Sequence, residues 1–421
     1  MRFFVTEQLE LTIDEVATPA NFVLEFDQTS KTLEIDMKGL DKVNNTELFK
    51  VEVFVGKSRV DFDLKHNNTA MNKKTTIGEV ISDQDYYYDS ATGIVTFLTK
   101  TFSPFTAVYD KDSWSKHAAE IYAIPIDNKV VTIASAEELA LFAKEVNGGK
   151  NYKGYTVNLT DNIDLGQYLW EPINNFAGTF DGNDKIVENL TIIKANTWNI
   201  GFFSKCQSTA KIQNVTFENA YIVGGHCTSV VNGGSGGAEA TMTNITVKGN
   251  VNITGGWYVG CILGKGYAKV SDCNVIVNEG SKMVCDGGYA GGIVGFMGEG
   301  NNSITDCTVE NMYIESCWNG IGGISGILHY GNTITDCTVK NTIVHQNTDE
   351  AGETGRAAMI AGTYLTSENQ TETLTNCRFI GGRVYDNTAD YTGINWIGGP
   401  WNGYQPDVGT VVIENNIYSA N

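Results

Sequence analysis

The chain has 421 residues, more than one compact core ordinarily holds, and a formal net charge of -20. A surface that acidic repels phosphate backbones and anionic headgroups, which argues against nucleic-acid and membrane-surface binding. Hydrophobic residues at 42% exclude wholesale disorder, and the absence of a long unbroken apolar stretch leaves no expectation of membrane insertion.

Glycine is abundant at 46 residues and proline scarce at 6, which excludes collagen and points to many strands joined by tight turns. The nine cysteines are an odd number, which argues against a complete disulfide framework. The opening segment, Met1 to Glu7, turns acidic within a few positions and does not read as a signal peptide. A protein that stays inside the cell and one whose leader has been removed both fit that start.

From residue 1 to about 125 the apolar period is two. Phe22, Leu24 and Phe26 alternate with polar neighbours, a turn comes next at Gln28 to Lys31, and Leu33, Ile35 and Met37 resume the pattern. Phe49, Val51, Val53 and Val55 repeat it, then Val60, Phe62 and Leu64, and later Ile94 to Leu98. Strands with one apolar face and short polar turns predict an antiparallel β-sandwich of Ig-like type. His66 and His117 stand alone and read as surface residues, and Tyr86 to Tyr88 as strand packing rather than an exposed patch.

The segment from Ser135 to Val146 has helical character. Ser135 is the expected N-cap, Glu138 completes a capping box, and Gly148 and Gly149 end the helix. A helix there would cover the open edge of the sheet beyond it.

A repeat occupies the rest of the chain. An apolar residue, any residue, Asn or Asp, and then two more alternating positions recur from Ile212 to Phe217, Met242 to Val247, Val270 to Val275, Ile304 to Val309, Ile334 to Val339 and Leu374 to Phe379. With looser copies at Asn189 and Asn415, the spacings are 25, 30, 28, 34, 30, 40 and 39 residues. A second element lies between these: Val259 to Gly264, Ala290 to Gly295, Ile321 to Gly326 and Ala357 to Gly362. Such short strands stand only by stacking, and the spacings are too short and irregular for propeller blades. The expectation is an all-β chain: a sandwich over residues 1–125, then a right-handed parallel β-helix over 130–421 with a short N-terminal capping helix.

These segments resemble the GLUG-repeat β-helix of bacterial surface proteins. The naming motif appears as Gly292-Ile293-Val294-Gly295 and Gly323-Ile324-Ser325-Gly326. The lead-in is more distinctive: Ala136 to Leu139, Val157 to Leu159, Asn162 to Leu165, Trp170 to Ile173 and Phe176 to Asn183. Phe102 to Phe105 looks like the end of a small β domain that precedes such solenoids. The resemblance implies a secreted or cell-surface protein of adhesin type. The chain departs from that pattern in having no leader and no C-terminal sorting signal as given.

Chemistry-bearing patterns are sparse. Cys273, Cys307, Cys337 and Cys377 share one repeat position and lack metal-ligand spacing, so a buried ladder of free thiols is expected. Asp272, Asp306 and Asp336 align with Asn189, Asn214, Asn244 and Asn376, which suggests a side chain bonding backbone at a bend. Three carboxylates also fall short of the 6–8 oxygens that Ca²⁺ takes. Gly233 to Gly237 matches G-x-S-x-G only formally, because a glycine loop is no strand-turn-helix elbow. Carboxylates for a lyase or glycosidase would come from Asp349, Glu350, Glu353, Asp386, Asp390 and Asp407, with Arg356, all in loops. No catalytic residue and no cofactor is nominated. Trp257, Tyr258, Tyr289 and Trp318, beside successive Gly-rich strands, are the candidate ligand-binding residues, and Trp198 falls at a place matching Trp257. The expected partner is a glycan or a host surface protein. A β-helix carbohydrate-active enzyme and a passive stalk are the alternatives.

Overall fold

The computed structural model describes residues 21–27, 32–38, 44–54, 62–67, 69–89, 94–101, 105–109, 113–194, 197–236, 240–318, 320–347, 356–365, 370–386, 396–398 and 410–419. It divides into two compact units, one of residues 1–112 with 166–169 and one of residues 113–165 with 170–421.

Among the described residues the first unit holds two sheets. One has the order Asn21–Asp27, Thr32–Lys38, Phe105–Tyr109, Phe62–His66, Thr69–Ala70. The other runs Asn44–Phe54, Ile94–Thr101, Asp85–Asp89, Asn72–Lys74. Pairing is antiparallel throughout, except that Asn72–Lys74 lies parallel to Asp85–Asp89. The sheets meet at their apolar faces, where the Phe97 and Phe105 rings lie 4.3 Å apart. Tyr86 and Tyr88 point into this core, as strand packing requires. His66 is not a plain surface residue: it is half-buried and stacked on Phe105 at 4.1 Å. Burial there lowers its pKa by disfavouring the charged ring.

The second unit is a parallel β-helix. Its first rung starts with Val130–Ile133, which pairs in parallel with Thr156–Leu159. Between them runs the helix Ala136–Asn147, the sole α-helix among the described residues. The Ser135 Oγ accepts the Glu138 N–H, as the N-cap expectation has it. The Glu138 carboxylate reaches past Ser135 to accept from Ala134 N at 2.7 Å and Ala123 N at 2.6 Å. One buried side chain thereby ties the incoming chain to the helix start. Phe142 meets Phe176, Phe180 and Tyr152 with ring centres 5.1–6.3 Å apart, so the helix plugs the end of the solenoid core.

One long sheet then takes a single continuous strand from each of three rungs, Thr179–Ile193, Lys211–Val223 and Thr241–Gly255. It takes three short segments from each of the next four and two from the last described rung, with shorter strands following on the other faces. The long sheet takes in every Asn/Asp segment of the repeat, in the expected register. Met242, Val270, Ile304, Ile334 and Leu374 partner one another in succession, all facing inward. Burying each such side chain contributes about 1.5–3 kcal/mol. The second repeat element turns the corner between the two shorter sheets, with Val259, Ala290, Ile321 and Ala357 in one row. At this corner a Cβ on Gly295 would lie 2.5 Å from the Val259 nitrogen, so the chains approach as closely as they do only because the position is glycine.

The bend in each Asn/Asp segment has a definite conformation. Asn189, Asn214, Asn244, Asp272, Asp306, Asp336, Asn376 and Asn415 all have φ between 53° and 59°. Asn and Asp tolerate this left-handed region best among residues with a side chain. The expected side-chain bond to backbone is replaced in the early rungs by bonds between side chains. Asn244 Nδ2 donates to Asn214 Oδ1 at 2.9 Å, and Asn214 Nδ2 to Asp181 Oδ1 at 3.0 Å. Left-handed backbone at the same place in every rung aligns these amides along the solenoid, so the next rung offers the nearest acceptor.

Candidate functional site

The short strand that succeeds the long sheet begins at Asn199, Cys227, Tyr258 and Tyr289 in successive rungs. The residue just before it sits on an outward corner. In three rungs this is Trp198, His226 and Trp257, with Gly288 in the fourth. The backbone ladder holds the corner: Cys227 N donates to Trp198 O at 2.7 Å and Tyr289 N to Trp257 O at 2.7 Å. The rings stack as a consequence. Trp198 and His226 are 4.0 Å apart and 11° from parallel, and His226 and Trp257 are 6.4 Å apart and 14° from parallel. Trp318, further along the solenoid, lies 6.0 Å from Trp257.

That last distance spans the rung of Gly287 and Gly288. Two rung spacings would ordinarily separate equivalent groups by about 9.6 Å. The rung between carries no side chain at Gly287 or Gly288, and the two rings stand closer than that spacing. Trp198, Trp257 and Trp318 are 61%, 38% and 41% exposed, and His226 is half-buried between them. Four aromatic side chains thus form one column whose successive ring centres lie 4.0, 6.4 and 6.0 Å apart.

The four nominated residues fall into two clusters. Trp257 and Trp318 belong to this column. Tyr258 points the other way and stacks on Tyr289 at 5.9 Å and 6°, with Phe296 edge-on to both. Lys265 caps that group, its Nζ lying 4.3 Å from the Tyr258 ring centre. Tyr289 is only 4% exposed and forms the wall beneath Tyr258. Physical alternation explains the split, because neighbours along a strand face opposite ways. Sequence reading did not mark His226. The signal was its place between Trp198 and Trp257, one repeat from each.

A polar network on the third segment of the long sheet was also missed. Lys282, Glu315 and His345 are buried although they alternate with the inward residues Met283, Ile314 and Val344. The Tyr313 hydroxyl donates to Glu315 Oε2 at 2.9 Å, Asn347 Nδ2 donates to Oε1 at 3.1 Å, and Lys282 Nζ stands 3.6 Å from Oε2. His345 Nδ1 lies 2.6 Å from the Tyr313 hydroxyl and 3.4 Å from Glu315. Burial and then the Glu315 charge drive the Tyr313 pKa upward. With these donors around one carboxylate, the group is a satisfied ionic knot. Of the loop residues weighed for hydrolysis, Asp349, Glu350, Glu353, Asp390 and Asp407 lie outside the described residues, and Arg356 and Asp386 are buried.

All nine cysteines are free thiols, and eight are buried. Burial pushes Cys285 up to about 12 and Cys227 up to about 11, and it raises Cys273 and Cys337 well above the usual thiol range. Among the described residues no three His, Cys, Asp or Glu side chains converge as a metal would need. Asp272, Asp306 and Asp336 are exposed at the bend.

No family model matches the chain. Halomucin from Haloquadratum walsbyi is 31% identical over 122 residues, a match that takes in 27% of this chain and 1% of halomucin. The chain therefore spans a very small part of that relative. Among solved structures, a Bacteroides ovatus protein provisionally described as an immunoglobulin A1 protease has a TM-score of 0.46 at 17% identity, covering 67% of this chain and 83% of its own. The L. reuters 100-23 SRRP has a TM-score of 0.24 at 12% identity, with 71% and 97% covered. The catalytic domain of a GH87 α-1,3-glucanase in complex with nigerose has 0.21 at 10% identity, with 95% and 89% covered. Among the described residues no helix is long and apolar enough to cross a membrane.

Proposed function

We infer that this chain is an adhesin-like β-helix of the GLUG-repeat type, secreted or displayed on a bacterial surface, that holds a neutral glycan along the Trp198–His226–Trp257–Trp318 column. The observation that carries the reading is the column itself: three indoles left exposed beside one another on a solenoid whose other large aromatics are mostly packed inside. Indole faces match the C–H faces of sugar rings, and an extended glycan meets the rings in succession. The net charge of -20 selects for neutral glycans, because it repels sulfated and uronate-rich chains. Each contact is weak, so affinity comes from several rungs at once and from many copies on one surface. Tyr258, with Lys265 over its ring, offers a further half-exposed aromatic on the neighbouring corner.

The test is a glycan array with the purified chain, followed by titration of the best neutral oligosaccharide. The double variant Trp257→Ala, Trp318→Ala should lose binding while its melting temperature stays near the parent value. A parent protein that captures no glycan would leave a passive stalk as the better reading. A large fall in melting temperature would assign the two rings to the core.

A further inference from the structure

The aromatic column ends beside a cleft. Trp198 stands between Thr197 and Asn199, and both of these line a hollow of about 400 Å³ beneath the capping helix. Its floor is apolar: Trp114, Trp170, Ala140 and Ala143, all buried. The two indole N–H groups are already committed, Trp114 Nε1 to Leu165 O at 3.1 Å and Trp170 Nε1 to Phe202 O at 3.0 Å. Trp170 is further locked by a parallel stack on Phe202 at 4.9 Å. The floor is thus rigid and asks for no hydrogen bond.

The rim is polar. Glu171 and Lys194 face each other across it at 2.9 Å and remain 41% and 32% exposed. A carboxylate has up to four acceptor sites and an ammonium three donors, so one mutual contact leaves most of that capacity open. Asn147 is fixed by its own bonds, donating to Pro172 O at 3.1 Å and accepting from Asn174 N at 2.8 Å. An apolar base beneath paired hydroxyl acceptors and donors suits a sugar ring, with C–H groups down and hydroxyls out. The volume lies at the small end of the roughly 300–1,000 Å³ of ligand pockets, which suits a mono- or disaccharide.

We propose that this cleft is a terminal subsite, which takes the end of a neutral glycan whose remaining residues lie along the Trp198 to Trp318 column. The assignment of the column to glycan rests on the function inferred above; the cleft adds an end-specific site to it. A glycan with a free end then binds more tightly than the same chain capped by a bulky group.

Saturation-transfer NMR and calorimetry on the full chain test this, with neutral hexoses, N-acetylhexosamines and their linear oligosaccharides as probes. The parent protein should bind at least one free monosaccharide, and Glu171→Gln, Lys194→Met should weaken it by about tenfold or more. Asn199→Ala is the second variant at the rim, expected to act in the same direction. Melting temperatures for all three should match the parent. If oligosaccharides bind, Trp257→Ala, Trp318→Ala abolishes that binding, and the rim variants change nothing, the cleft proposal falls and the column stands. If the rim variants weaken monosaccharide binding while the column variants leave oligosaccharide binding intact, the column reading falls and the cleft stands. No binding of any probe overturns both.

Discussion

Cys307 and Cys337 sit on successive rungs in the same posture, each thiol donating to the carbonyl two residues upstream, Thr305 O at 3.3 Å and Thr335 O at 3.2 Å. Cys273 and Cys377 do the same with Ser271 and Thr375. The residue between is always the left-handed Asn or Asp. The thiol therefore fills the inside of the bend, and in the last rung Asn416 takes its place, donating to Leu374 O at 3.1 Å.

That burial sets how the cysteines react with a thiol reagent. In denaturant nine thiols should react, whereas the folded chain should present chiefly Cys317, the half-buried one. Cys307→Ala should lower the melting temperature, with a cost of about 1–2 kcal/mol for the lost volume and bond. Equal reactivity with and without denaturant would contradict the buried ladder.

Asp306 has the opposite character, an exposed acid that is worse placed folded than unfolded. Its partial desolvation and then the carboxylates of Asp336 and Asp272 raise its pKa. A raised carboxyl pKa destabilises the fold above that pKa, and the penalty disappears below the unfolded value of about 3.9. Asp306→Asn keeps the left-handed preference and removes the charge. It should raise the melting temperature at pH 7 and have almost no effect at pH 3. Asp306→Val should instead destabilise at both, by about 1–2 kcal/mol, because a β-branched residue resists φ near 53°.

The repeat register was legible because identical chemistry recurs wherever a rung returns to the same place. Ile304 and Ile334, or Cys307 and Cys337, announce their pairing by being the same residue. The aromatic column was half legible: Trp198 and Trp257 match in register, but His226 breaks the residue type and Trp318 the spacing. The separation of Trp257 from Tyr258 needed the strand's alternation at a corner where no regular period runs long enough to show it. The cleft was hidden for a different reason. Its walls come from the helix, from Trp170 to Asn174 and from Lys194, Thr197, Asn199, Ile200 and Ser204, segments that no periodicity relates.

His329 gives a pH dependence of known sign. The side chain is buried edge-on against Phe296, and its Nδ1 has no hydrogen-bond partner among the described residues. Burial, reinforced by Lys265, lowers its pKa to about 4. A histidine held neutral in the fold protonates more readily when unfolded, so its contribution is full above about 6.5 and is lost as pH falls toward 4. The loss amounts to something on the order of 3 kcal/mol. His329→Phe should flatten the fall in melting temperature across this interval. An unchanged slope would mean that the ring is not held neutral.

Gly287 and Gly288 separate the geometry of the column from its stability. A Cβ on Gly287 would stand 3.4 Å from Gly256 O and 4.0 Å from Trp257 Cε2, ordinary contacts at the edge of the ring. A Cβ on Gly288 would come within 1.9 Å of Trp257 O, a backbone atom that cannot rotate away. Gly287→Ala should therefore fold with a melting temperature close to the parent. Gly288→Ala forces the Trp257 rung apart, and overpacking of that kind costs about 1–3 kcal/mol or more. The same variant breaks the approach of Trp257 to Trp318, so its near-ultraviolet circular dichroism should lose the signal of the coupled indoles. That signal should persist in Gly287→Ala. If Gly288→Ala melts like the parent and keeps the indole signal, the close approach of these rungs is not what holds the two rings together.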